Sequence, residues 1–295
     1  MSAVAQLKVA GRAQARAAKR RLGGRRFERE FLSVLPAGLH PAARLMYYGD
    51  RTADELAISR TIEGFRTQLE NTDATAMSYG SPHSGTFSKN DDGKAQPGPA
   101  NASALSVHAE TGTHPLGGLV LRRLVEGLGL GNVLELGTNT GFSGGYFLSA
   151  STSPRLVTIE GSADLCRVAE KNLGCVADAQ RFRVINAFFE DALDELAATG
   201  DQFDCAFIDG QHEKDATLHY ADRVASLMGP GGAIVFDDIY WSPDMNNAWH
   251  MLVGSGRFSI ACDFAWKGVC ILGKGPTRVY DLCHSIGRPT PHRDW

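Results

Sequence analysis

Apolar positions recur at helical spacing in two stretches near the start of the chain. Phe27, Phe31 and Leu35 fall four apart, and Ile58, Ile62, Phe65 and Leu69 follow at intervals of three or four. This periodicity predicts helix over residues 27–70, interrupted at Pro36 and Pro41, where the backbone donor is missing. From residue 113 onward two periods alternate. Residues 115–128 put Leu121, Leu124, Val125 and Leu128 on one helical face, and residues 133–136 form a short apolar strand that enters a Gly-rich turn and then a helix. Further strands are expected over 155–160, 181–186, 203–209 and 232–237. Helices are expected over 163–173 and around Leu218, Ala221, Ala225 and Met228, which share one face. Strands that alternate with helices, several of them nearly continuous in apolar residues, predict an α/β fold with a doubly wound, mostly parallel sheet covered on both faces. Residues 257–264 and 267–272 leave no room for a helix between them and are expected to pair as an antiparallel hairpin at the end of the sheet.

Residues 71–112 break the pattern. Gly, Ser, Thr, Asn, Asp and Pro are frequent there, and between Phe87 and Leu105, prolines aside, no apolar side chain is larger than Ala. Such a stretch cannot bury itself and is expected to be a mobile loop or lid. The chain thus divides into an arm (1–30), a helical extension with the loop (31–112), the α/β domain (113–275) and a tail (276–295).

Charge separates the arm from the rest. The 295-residue chain has a formal net charge of −3, but residues 1–30 carry nine Lys and Arg against Glu28 and Glu30, a net of +7 that leaves −10 elsewhere. The arm is Ala-rich and lacks a series of aromatics on which bases stack, so a solvated tail fits it better than a nucleic-acid contact. No run approaches the ~18 apolar residues of a membrane span, and the first residues have no apolar core of a secretion signal. The six cysteines have neither zinc-site spacing nor the density of a disulfide framework; they are expected to be reduced thiols of a cytoplasmic protein.

Three signals carry chemistry. The first is Glu135-Leu136-Gly137-Thr138-Asn139-Thr140-Gly141-Phe142-Ser143, a strand, a turn and a helix start. This geometry brings a ligand to backbone amides and a helix N-terminus. Its glycines fall as GxxxG, not as the GxGxxG of dinucleotide binders, which counts against a nicotinamide-dependent oxidoreductase. The second is Glu160, at the end of the next strand, where a carboxylate can accept two ribose hydroxyls. The third joins Asp209 with Asp237 and Asp238, at the ends of the fourth and fifth strands. Three carboxylates over one crevice suit Mg²⁺, Mn²⁺ or Ca²⁺; the alternative is that one caps a helix and another meets solvent. His212, three residues past Asp209, is a candidate general base, or else a histidine that merely opens a helix.

The ordered series ELGxxxGFS, TIE, FIDG and FDDI, over about residues 115–275, resembles the class I S-adenosylmethionine-dependent methyltransferases. Phe207-Ile208-Asp209-Gly210-Gln211-His212 and Phe236-Asp237-Asp238-Ile239-Tyr240-Trp241 are similar to motifs of small-molecule O-methyltransferases of the catechol and caffeoyl-CoA type and their bacterial relatives. The resemblance implies a Rossmann-like seven-stranded sheet of order 3-2-1-4-5-7-6 with its last strand antiparallel, here preceded by a helical extension. It implies S-adenosylmethionine as cofactor. Glu135, Gly137, Gly141 and Ser143 would cradle the methionine part, Glu160 the ribose, and Ala187 and Phe188 the adenine, with Thr138, Asn139, Gly161 and Asp209 in the same site. It further implies a divalent metal, Mg or else Mn or Ca, on Asp209, Asp237 and Asp238, with Asp209 and His212 catalytic. The catechol-type enzymes carry Lys where this chain has His212, and the bacterial sugar methyltransferases carry Asp where it has Gln211.

The expected activity is methyl transfer to the hydroxyl of a small-molecule acceptor with metal assistance. The alternatives are metal-independent transfer to O or N, an oxidoreductase, or a non-catalytic cofactor-binding protein. Tyr47, Tyr48, Tyr79, His83, Tyr240, Trp241 and Trp249 are candidates for the acceptor site. The N-terminal helices are candidates for pairing in a homo-oligomer.

Overall fold

The computed structural model describes residues 24–79, 89, 91–94, 96 and 100–285. Most of the basic arm, His83, much of the expected lid and the end of the tail lie outside these residues. A π-helical turn at Phe27–Leu32 and a 3₁₀ turn at Ala37–Leu39 lead into α1 (His40–Tyr48) and α2 (Ala53–Glu70). Helix α2 starts at a reciprocal cap: Thr52 Oγ1 accepts from the Glu55 amide at 3.1 Å, and the Glu55 carboxylate accepts from the Thr52 amide at 2.7 Å. The segment read as a loop is framed by structure. Strands β1 (Thr75–Tyr79) and β2 (Ala100–Ala104) pair antiparallel, and a short helix, α3 (Leu105–Thr111), follows directly. The sequence hid this pair because it is stabilised by backbone bonds and by docking on the domain, with almost no apolar side chains of its own.

The domain then alternates as expected: α4 (Pro115–Leu128), β3 (Asn132–Leu136), α5 (Phe142–Leu148), β4 (Arg155–Glu160), α6 (Ala163–Gly174), β5 (Phe182–Asn186), α7 (Phe189–Thr199), β6 (Phe203–Ile208), α8 (Lys214–Ala225), β7 (Met228–Phe236), α9 (Pro243–Gly254), β8 (Phe258–Phe264) and β9 (Lys267–Leu272). Helix α8 ends before Met228, which opens β7 instead of completing a helical face. A last strand, β10 (Arg278–Asp281), precedes a single turn, α10 (Leu282–Ser285).

The sheet order is β10-β8-β9-β7-β6-β3-β4-β5. It contains the expected 3-2-1-4-5-7-6 order, with β9 antiparallel to both β7 and β8. The strand count is corrected from seven to eight, because β10 adds parallel to β8 from within the segment read as tail. It is a four-residue edge strand with three exposed side chains, held by backbone pairing, so it leaves no apolar run to read.

Alternate residues of the central strands feed two cores. Val133, Cys205, Phe207, Ala233 and Val235 face one, with α4, α5 and the N-terminal helices; Leu134, Ala206, Ile208, Ile234 and Phe236 face the other, with α7, α8 and α9. At the close crossing of α4 and α5, a Cβ on Gly118 would lie 2.0 Å from the Tyr146 ring. Apolar residues of the N-terminal segment pack within the chain: Leu39, Leu45 and Ile62 are fully buried in the first core.

Arg123 ties this extension to the domain. Its guanidinium donates to both Glu55 oxygens at 2.6 and 2.8 Å and to the carbonyls of Pro41 and Asp50 at 3.1 and 2.9 Å. Burial works to raise the Glu55 pKa, but Arg123 and the Thr52 amide outweigh it and hold the carboxyl below its ordinary value. Arg123→Ala leaves that buried carboxylate unpaired and is expected to cost about 3–5 kcal/mol in urea unfolding. A loss within experimental error would contradict this role.

Candidate active site

Strand register brings the site together. Leu136 pairs with Ile159 and Ile208, Ile208 with Phe236, and Phe236 with Gly268 of the antiparallel β9. The next residues along the parallel strands are Gly137, Glu160, Asp209 and Asp237, and the residue level with Asp237 on β9 is Lys267. Strands lie about 4.8 Å apart, so Glu160 and Asp209 stand about two strand spacings apart, with the turn after β3 between them. Gly137 has φ 100°, and a Cβ there would lie 2.0 Å from the Asp209 carbonyl oxygen. Only glycine lets these two strand ends meet.

A cavity of about 580 Å³ opens over these tips, within the range of small-molecule sites. Glu160, Gly161 and Phe188 line one end, and Gly137, Thr138, Asn139 and Ser143 the middle. Asp209, Gln211 and His212 line the other. Glu160 accepts from the Asn139 and Ser162 amides, each at 3.0 Å; burial still raises its pKa above the ordinary value. Phe188 meets Tyr79 edge-on, with ring centroids 5.2 Å apart. Three of the residues expected to hold the cofactor do not line the cavity. Gly141, at φ 83°, starts α5 from below, against Ala169 and Leu173. Ala187 packs in the second core. Glu135 is fully buried beneath the turn and accepts from Thr158 Oγ1 at 2.6 Å. Desolvation pushes its carboxyl up to about 7, against the hydroxyls of Ser143 and Thr158.

The acidic trio does not converge on one point. Asp209 and His212 face the cavity, with His212 Nε2 3.3 Å from Asp209 Oδ1 and 3.6 Å from Asp238 Oδ2. Asp237 has a different partner: its Oδ1 is 2.6 Å from the Lys267 ammonium, and Lys267 is only 2% exposed. The ammonium also stands 4.8 Å from the centroid of the Phe207 ring. Burial pushes Asp237 up to about 7, with Lys267 opposing the shift and Asp209 and Asp238 adding to it. Burial works to lower His212, but the charges of Asp209, Asp238 and Asp237 prevail and raise it to about 9.

Residues 134–239 match the model of a family described as a methyltransferase domain. This segment is a methyltransferase domain. The chain is 32% identical over 132 residues to caffeoyl-CoA O-methyltransferase 2 of Zea mays, a match that takes in 42% of this chain and 48% of that protein. It thus spans about half the length of that relative. An O-methyltransferase from Bacillus cereus, solved in complex with SAH, shares the fold at 23% identity and a TM-score of 0.50, over 57% of this chain and 88% of that one. The O-methyltransferase TomG from Streptomyces achromogenes, solved with SAM, is similar at 22% identity and a TM-score of 0.48, over 56% and 82%.

The methyltransferase domain receives part of its site from outside the matched segment. His108 Nδ1 lies 3.1 Å from Asn139 Oδ1, and its Nε2 lies 2.5 Å from Ser103 Oγ. Asp164 accepts from the Met77 amide at 2.9 Å, and Ser162 donates to the Met77 carbonyl. The strand pair β1–β2 is therefore bound to the loops beside Glu160. The buried Arg66 donates to the Thr113 carbonyl at 2.8 Å and stands 4.5 Å from the Phe142 ring centroid, which fixes one wall. Residue patterning held no sign of His108 or Arg66, because the contacts that tie them to the site, with Asn139 and Thr113, span 31 and 47 residues.

Of the acceptor candidates, Tyr79 lines the cavity, and the half-exposed Trp241 has its ring 6.2 Å from that of His212. Tyr47 and Tyr48 instead pack on Phe27, Tyr240 donates to Asp263, and Trp249 is buried in the second core. Aromatic content alone does not separate these two roles.

The divalent ion implied by the resemblance does not fit this donor set. Among the described residues, no group of three or more His, Cys, Asp or Glu is arranged to hold a metal. An ion at the usual ~2.1 Å from Asp237 Oδ1, which is itself 2.6 Å from the Lys267 ammonium, would lie no more than about 4.7 Å from that ammonium. Repulsion between charges of +2 and +1 at that distance is about 7 kcal/mol or more at an effective dielectric constant near 20.

Proposed function

We propose that this chain is an S-adenosylmethionine-dependent O-methyltransferase that acts on the hydroxyl of a small molecule without a divalent metal. The observation that carries this reading is a continuous cavity with Glu160 at one end and the Asp209–His212 pair at the other. The donor set suits an adenosyl cofactor. Glu160, already steered by two backbone amides, has lone pairs left for a ribose diol. Phe188 and Tyr79 offer flat apolar walls to a base, and the turn 137–139 offers backbone polar groups to the amino-acid part. When bound, the cofactor supplies an electrophilic methyl group on a positively charged sulfur.

The protein's own work is to place an acceptor oxygen in line with that methyl and to remove the proton. Fixing reactants in this way can contribute ~7–11 kcal/mol. Asp209 Oδ1 and Asp238 Oδ2 flank His212 Nε2, which takes the acceptor proton when the imidazole is neutral. The flanking carboxylates stabilise the resulting imidazolium. The walls from β1, β2 and α3 shield the Glu160 end of the cavity from water. The cavity fits a small acceptor in size.

Glu160→Ala is expected to weaken binding of S-adenosylhomocysteine about 10- to 100-fold, since a charge-assisted hydrogen bond contributes about 1.5–3 kcal/mol, as read by titration calorimetry. Unchanged affinity would remove Glu160 from the cofactor site. His212→Gln is expected to lower kcat by about 10²–10⁴ with cofactor affinity intact.

The pH profile follows from the raised His212 value. The proton stabilises the folded state fully below the ordinary value near 6.5, and that contribution is lost as pH rises through about 9. The neutral base accumulates over the same interval, so wild-type kcat/KM should climb toward pH 9 and then level off, and His212→Gln should lose the climb. A profile flat from pH 6 to 9 in the wild type would contradict the assignment.

A further inference from the structure

We infer that Lys267 is the resident cation of this site, and that its ammonium fulfils the charge-balancing and positioning role that a divalent ion would otherwise have on Asp237. The inference rests on the methyltransferase reading for its purpose and on independent geometry for its substance. Lys267 opens β9, the antiparallel strand, whose register sets it level with Asp237. Its ammonium bonds Asp237 Oδ1 at 2.6 Å and faces the Phe207 ring at 4.8 Å. Its stem is enclosed by α4, where a Cβ on Gly117 would come within 3.5 Å of Lys267 Cε.

A lysine that is 2% exposed is not a surface group drawn in by chance, since a buried ammonium is retained only when paired. The pairing has a consequence at the next residue. Asp237 Oδ1 also accepts from the Asp238 amide at 3.0 Å, and Asp238 takes a left-handed backbone conformation, φ 53°. That backbone turn directs Asp238 Oδ2 toward His212, 3.6 Å away. Lys267 thus acts through Asp237 on the placement of Asp238 and His212, and is a positioning residue that does not itself touch the cavity.

The test is metal response in the full chain. Wild type titrated with MnCl₂ should show no saturable binding by calorimetry or by electron paramagnetic resonance. Its melting temperature should not move with Mn²⁺, and its turnover in excess EDTA should stay within about twofold of that without chelator. Lys267→Met frees the Asp237 carboxylate from the resident ammonium, beside Asp209 and Asp238. That variant should acquire a Mn²⁺-dependent rise in melting temperature, a response that a merely structural lysine would not produce on removal. Lys267→Arg keeps a cation in place and should remain insensitive to Mn²⁺. Stoichiometric Mn²⁺ binding by the wild type overturns the inference, and so does a folded Lys267→Met as insensitive to Mn²⁺ as the wild type. If Lys267→Met does not fold, the wild-type titration decides alone.

The proposed function fails by a different result. A wild type that binds no S-adenosylhomocysteine ends the methyl-transfer reading whatever its response to Mn²⁺. One that binds both S-adenosylhomocysteine and Mn²⁺ ends only the Lys267 assignment.

Discussion

Burial of carboxylates at adjacent strand tips is the constraint around which this site is arranged. A parallel sheet delivers Glu160, Asp209 and Asp237 to one edge by register alone, and like charges brought together out of water are costly unless something compensates them. The chain compensates each differently. Glu160 takes backbone amides, Asp209 and Asp238 take His212, and Asp237 takes Lys267. Function is thereby divided along the sheet. The β4 side has carboxylate lone pairs to offer a ligand, whereas the β7 side is satisfied within the protein.

The antiparallel strand is what makes the second half of that division possible. Every parallel strand presents its carboxyl end at this edge, so each contributes its last residues. Strand β9 runs the other way and contributes its first residue, which places a long cationic side chain opposite Asp237 without any loop reaching in. Helix α4 and the Phe207 ring then close over it. The compensation is built from the same register that built the problem.

The order of the domain was legible from residue patterning. Continuous apolar strands such as residues 133–136 and 232–236, separated by amphipathic helices, dictate a parallel sheet, and the turn at Gly137 and the acid at Glu160 mark its ligand edge. What the sequence concealed depends on contacts distant along the chain. Strands β1 and β2 have little apolar content, and β10 is four residues long, so neither carries a period. Lys267 reads as an ordinary charge at a hairpin turn until register sets it against Asp237. The three aspartates were visible, but their division between His212 and Lys267 was not, because the partner at a strand end is decided by the neighbouring strand.

The most direct measurement of the central claim is a crystal structure of the full chain grown with S-adenosylhomocysteine and Mn²⁺, with diffraction data collected at the manganese edge. The account predicts product density from Glu160 to Asp209, the Lys267 ammonium on Asp237, and no anomalous peak at the strand tips. A manganese peak bound by Asp209, Asp237 and Asp238, with Lys267 displaced, would contradict it.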